Sequence, residues 1–181
     1  MESSGRPPSF TGLVVHRDQV IGYSLLIPEG WQRFDLEAGD GVFFAPTLDS
    51  RETGLEVAGR DLGTDVQPDD LAIIQRGFLT GLQRLPDCQI ESREAESIGR
   101  LLTLEARFTF RDGDVVRKRW VRQLYQGRVQ VRVVAQGATP DAFGYWEPMF
   151  TTMMRTIRFG DWWSDALGIE WVETVFPEDE D

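Results

Sequence analysis

GRLLTLEARFTFRDGDVVRKRWVRQLYQGRVQVRVVAQG, residues 99–137, decides the fold of this 181-residue chain. Its glycines Gly99, Gly113 and Gly127 recur every fourteen residues, and the segments between them are rich in Val, Leu, Phe, Trp and Arg. Gly accepts the positive φ that a two-residue hairpin loop needs, so Asp112-Gly113 is the strongest turn signal, with Ile98-Gly99 and Gln126-Gly127 as weaker ones. The stretch therefore reads as a meander of long antiparallel strands. With two-residue loops, Phe110 opposes Val115 and Leu104 opposes Val121 in the first hairpin. In the second, Tyr125 opposes Arg128 and Val121 opposes Arg132.

That pairing separates two surfaces, neither of them dry throughout. One carries Leu102, Leu104, Ala106, Phe108 and Phe110 on its first strand but Arg128, Gln130, Arg132 and Gln136 on its third. The other carries Thr103, Glu105, Arg107 and Thr109 on the first strand and Val129, Val131, Val133 and Ala135 on the third. Each surface needs its own cover. A β-bulge in the middle strand would exchange its faces and merge the apolar sets into a one-sided core.

Two covers are at hand. From Pro68, Leu71, Ile74, Phe78, Leu82 and Leu85 recur at helical steps, with Asp69 and Asp70 at the positive end of the helix dipole. Phe143, Trp146, Phe150, Met153 and Ile157 repeat the pattern after Thr139-Pro140-Asp141, and Pro148 should kink or restart that second helix. Short strands are expected at Leu13 to His16, Tyr23 to Ile27, Gly41 to Ala45 and Leu55 to Arg60, with Trp31 capping the core. The economical arrangement is an α+β fold, an α/β/α sandwich whose central, mostly antiparallel sheet has one helix packed on each face.

One domain is expected, residues 12–159, between a flexible lead at 1–11 and an aromatic, acidic tail at 160–181. A net charge of −11 disfavours nucleic-acid and anionic-membrane surfaces, which need a positive footprint. The start has no apolar stretch suited to a leader and no run long enough for a membrane span, so a cytoplasmic location is the default expectation. Cys88, the single cysteine, excludes an intrachain disulfide or a cysteine-based zinc site, and no cofactor motif is present.

YSLLIPEGW at Tyr23 to Trp31, the strand Gly41-Val42-Phe43-Phe44-Ala45-Pro46, one helix, a long meander and a final helix ending Thr156-Ile157-Arg158-Phe159 together resemble the PsbP-like superfamily. The resemblance implies an α/β/α sandwich, and binding or assembly roles more often than catalysis. No partner-contact motif of that family matches position by position, so none of its binding residues is carried over.

Side chains that could carry chemistry have plainer readings. His16 is the single histidine, without a nucleophile elbow or a second histidine at helical spacing, and reads as an ordinary strand residue. Cys88 lacks neighbouring cations that would lower its pKa and reads as a small buried strand residue. Asp69 and Asp70 are first-turn carboxylates. Charge segregation is sharper: residues 98–137 hold nine basic and three acidic side chains, a local +6 in a chain of −11.

Arg117, Arg119 and Arg132 share one face and could hold a carboxylate or phosphate, although arginine stems also cover apolar neighbours in solvated strips. In the acidic tail, Trp162, Trp163, Leu167, Ile169 and Trp171 are candidates for docking on another protein, on a second copy or on the tail's own domain. Two functions follow from these features. One is a non-catalytic protein-interaction or assembly module; the other is a binding protein, less readily an enzyme, for a small acidic ligand on the arginine-bearing face.

Overall fold

The computed structural model describes residues 8, 11–37, 39 and 41–160. The tail residues Trp162, Trp163, Leu167, Ile169 and Trp171 lie outside them. Nine strands and two α-helices follow one another as β1 (Leu13–Asp18), β2 (Tyr23–Pro28), β3 (Gln32–Asp35), β4 (Gly41–Ala45), β5 (Gly54–Val66), α1 (Leu71–Gln83), β6 (Gln89–Ile98), β7 (Leu101–Asp112), β8 (Val115–Gly137), α2 (Pro140–Thr156) and β9 (Arg158–Phe159). A 3-10 turn at Pro68–Asp70 leads into α1. The large sheet runs β3-β4-β5-β8-β7-β6 and the small one β1-β2-β9, with antiparallel pairing throughout.

β8 contains both arms of the second hairpin. Its residues 115–126 pair with β7 and residues 127–136 with β5. Arg119 Nε donates to Gln136 Oε1 at 2.6 Å, a contact impossible along one extended strand, where those residues would stand roughly 55 Å apart. The chain therefore reverses at Gly127, where φ is 58°. Gly99 and Gly113 have φ of 59° and 60°. Asp87 is the one non-glycine with positive φ among the described residues, so the positions after these glycines are ordinary and the turns are of type II′, glycine first.

The loop residues are accordingly Gly113-Asp114, not Asp112-Gly113, and Phe110 opposes Arg117 where the sequence reading opposed it to Val115. The displacement is two residues. An even shift leaves every side chain on its face, so the division into two surfaces survives the error in register.

One helix covers each surface. Phe78, Leu79, Leu82 and Leu85 of the α1 segment pack with Ala106, Phe108, Phe110 and Val121, while Leu71 and Ile74 join Leu102, Leu104 and Tyr125. On the other side Phe143, Met149, Phe150, Met153 and Met154 of α2 form the main core with Trp120, Leu124, Val131, Val133 and Ala135. Tyr23, Leu25 and Ile27 of the small sheet complete that layer. A side chain on Gly59 would stand 2.6 Å from Ile21 Cγ2, so its absence provides the seat on which Ile21, beside the small sheet, rests against β5.

Thr139 caps α2 by accepting from the Ala142 N–H at 3.2 Å, and Pro140 occupies the first turn. The helix runs through Pro148 without restarting. Trp31 caps the end of this core, edge-on to Trp146 at 5.6 Å and to Phe150 at 6.2 Å. Cys88 lies just before β6, not within a strand, and burial pushes its thiol pKa up.

Candidate binding groove

α1 is too narrow to cover the whole face on which it lies. It shields β7 and the first arm of β8, and beside it the remaining strands leave a groove of about 860 Å³. The pairings Phe34↔Phe43, Phe43↔Glu56 and Glu56↔Val134 set these four side chains in one row across the floor. The pair Ala58↔Arg132 follows along the strands, and Arg60↔Gln130 comes next. Phe78, Leu82 and Leu85 form the helix wall, with Phe108 at its foot and Arg51 and Arg119 also lining the space.

Two helix positions facing the groove are glycines, Gly77 and Gly81, one turn apart, and a Cβ built on either meets nothing within 4 Å. Glycine inside a helix costs about 1 kcal/mol relative to alanine. Gly77→Ala and Gly81→Ala should each raise stability by roughly 0.5 to 1 kcal/mol, as read from urea unfolding. Destabilisation by either would show that the wall is packed against something and the groove is not open.

The three arginines singled out in the sequence do share this face, but they are not equivalent. Arg117 is the most enclosed, its side chain 10% exposed, and is taken up by Asp112 at 2.6 Å and Glu52 at 3.0 Å. Hydrogen bonds to Glu52 and Asp112 hold it above the ordinary guanidinium range, and it is not among the groove-lining residues. Arg119 lies over the Phe110 ring at 4.5 Å, with its Nε on Gln136. Burial, reinforced by Arg117 and Arg132, lowers its pKa. Arg132 pairs with Glu56 at 2.6 Å.

Arg51 and Arg60, which no sequence motif marks, line the groove as well. Arg51 stacks on Phe34 at 4.8 Å, and Arg60 donates through Nε to Gln130 Oε1 at 2.5 Å. Among the described residues no carboxylate lies within ion-pair distance of Arg51, Arg60 or Arg119. The groove thus joins an aromatic and aliphatic wall to charges of both signs, Asp35, Glu37 and Glu56 lining it beside these arginines.

His16 lies away from the groove, on β1, edge-on to Phe44 at 5.0 Å and near Tyr23 at 6.0 Å. Its Nε2 is shut off from solvent and has no hydrogen-bond partner among the described residues. Burial, with a smaller contribution from Arg33, lowers its pKa from 6.5 to about 4 against the opposing pull of Asp18 and Asp35. Among the described residues no three His, Cys, Asp or Glu side chains gather as metal ligands, and no helix is long and apolar enough to cross a membrane.

No protein-family model matches the chain, and no curated protein matches it in sequence. Solved structures do match in fold. Cyanobacterial PsbP from Synechocystis sp. PCC 6803 superposes with a TM-score of 0.59 at 16% identity, over 87% of this chain and 99% of that one. LpqN of Mycobacterium tuberculosis, described as involved in cell envelope biogenesis, gives 0.56 at 11% identity over 82% and 91%. The Saccharomyces cerevisiae Ran-binding protein Mog1p gives 0.51 at 9% identity over 83% and 96%. With its antiparallel sheet between two helices, the chain has the PsbP-like fold.

Proposed function

We propose that this chain is a non-catalytic interaction module of the PsbP-like type, and that a segment of a partner protein lies in the groove beside α1. The observation that carries this reading is the half-covered sheet face. Apolar side chains from α1, β3, β4 and β8 line an open trough along with Arg51, Arg60 and Arg119, for which no carboxylate among the described residues lies within ion-pair distance, and with Arg132, which Glu56 holds. Sites for small molecules bury most of the ligand surface, whereas this groove is open along its length, as a chain segment requires. Likeness to a protein described as Ran-binding agrees with an interaction role.

Gly81→Trp tests the reading, because it places a large ring in empty space on the helix wall and leaves the core contacts of Leu82 and Phe78 untouched. The wild-type chain should recover a defined partner from its native extract and the tryptophan variant should not, at unchanged melting temperature. Equal recovery by both would place the interaction elsewhere. A small acidic ligand is the second reading, favoured by a cavity of about 110 Å³ that adjoins the groove and has no carboxylate in its lining. A thermal-shift screen of carboxylates and phosphates, with any hit lost in Arg119→Ala, would support it.

A further inference from the structure

The small cavity is bounded by Ala58, Gly59, Arg60, Gln123, Gln130 and Arg132. Four of these, Arg60, Gln123, Gln130 and Arg132, also line the main groove, so the cavity is a corner of its floor. The polar groups here form one chain. Arg60 Nε donates to Gln130 Oε1 at 2.5 Å, Gln130 Nε2 donates to Tyr125 Oη at 2.8 Å, and Tyr125 Oη donates to Gln123 Oε1 at 2.7 Å.

The direction of this chain is forced. Arginine has donors only, so Gln130 must turn its carbonyl oxygen to Arg60 and its amide NH₂ to Tyr125. The Tyr125 oxygen accepts that bond, so its own hydrogen goes to Gln123 and engages the Gln123 carbonyl. Burial raises the Tyr125 pKa, which keeps the phenol protonated for this role. What has no hydrogen-bond partner among the described residues at the two ends is donor in both cases: the terminal nitrogens of Arg60 and the NH₂ of Gln123. Arg132 adds a second guanidinium, its Nη2 occupied by Glu56.

We propose that this corner is an oxyanion subsite that takes the carboxylate of an acidic side chain on the partner segment. The inference rests on the interaction reading above and specifies what the groove recognises. Arg60, Gln123 and Arg132 bring donors to the lining, and no carboxylate is among its residues. A singly charged, planar carboxylate matches the guanidinium edge and brings less charge near Glu56 than a phosphate would. The neighbouring row of Phe34, Phe43 and Val134 gives the residue next to that carboxylate an apolar bed.

The test uses the full chain and two short capped peptides, acetyl-Trp-Glu-amide and acetyl-Trp-Gln-amide, with inorganic phosphate as a third probe. Side-chain amide resonances of Gln123 and Gln130 are followed by nuclear magnetic resonance during each titration. The glutamate peptide should shift both amides and bind about tenfold more tightly than its glutamine counterpart. Arg60→Gln should abolish that difference. Tyr125→Phe, which breaks the relay and frees Gln123 to turn its oxygen inward, should reduce it severalfold.

Equal binding of the two peptides, or no movement of the Gln123 and Gln130 amides, would overturn the subsite. Response to phosphate alone would overturn it in favour of a free-anion site. If Gly81→Trp still abolishes partner recovery while the two peptides bind equally, the interaction reading stands and only the carboxylate subsite falls.

Discussion

Between pH 6.5 and pH 4 the chain should lose stability on the order of 3 kcal/mol through His16 alone. The folded state holds this imidazole neutral, with its pKa lowered from 6.5 to about 4. In the unfolded chain it titrates at its ordinary value. Over the interval between, the unfolded state binds the extra proton, so stability falls as the pH falls. Above pH 6.5 both states are neutral and the effect vanishes; below about 4 both are charged and the loss is complete. Urea unfolding at pH 7.5 and pH 4.5, compared with His16→Gln, isolates it from the carboxylates, which titrate in both proteins. Equal pH dependence in the two would show that water reaches the His16 ring.

Phe150→Ala should cost about 3 to 5 kcal/mol, a large part of the margin of an ordinary domain. Phe150 is fully buried between Phe143 at 5.2 Å and Trp31 at 6.2 Å, in the layer where α2 and the small sheet close on the large one. Nothing there can collapse cheaply, because both flanking rings are held by other contacts. Leu82→Ala, on the groove side, should cost about 2 kcal/mol, the lower end for such truncations, because one flank of Leu82 already faces open space. Urea unfolding of both variants gives the comparison. Equal losses would mean that α1 is buried as completely as α2.

The two helices and the meander were legible because each has a period that its surroundings do not disturb. Glycine at fourteen-residue spacing marks the turns, and Leu71 to Leu85 and Phe143 to Ile157 keep a helical stripe. β6 was marked only by the Ile98-Gly99 turn that follows it, because QIESREAESI has no apolar alternation. It is an edge strand, and charged side chains at an edge protect it from pairing with other chains at the expense of the usual signal. β3 is four residues long and carries a single apolar side chain, Phe34, between Arg33 and Asp35.

The groove could not be read in the same way. Phe34, Glu56, Arg60 and Val134 share one floor only because β3 pairs with β4, β4 with β5 and β5 with the second arm of β8, and no local pattern encodes those pairings. Clues were nevertheless present. Gly77 and Gly81 sit one turn apart in an otherwise well-formed helix, and Arg60 and Arg132 interrupt strands that are apolar on their other face. Arg117 misled because sharing a face with Arg119 and Arg132 says nothing about Glu52, sixty-five residues distant in sequence, which claims it.

Gly59 and Arg60 are neighbours on β5, and successive side chains of a strand leave on opposite sides. The bare Cα that seats Ile21 and the guanidinium that heads the donor relay therefore hang from a single peptide unit. Backbone placement at the relay is fixed by packing on the far side of the sheet, before anything enters the trough. The anchor is pre-organised, so an incoming carboxylate spends none of its affinity on ordering the backbone that greets it.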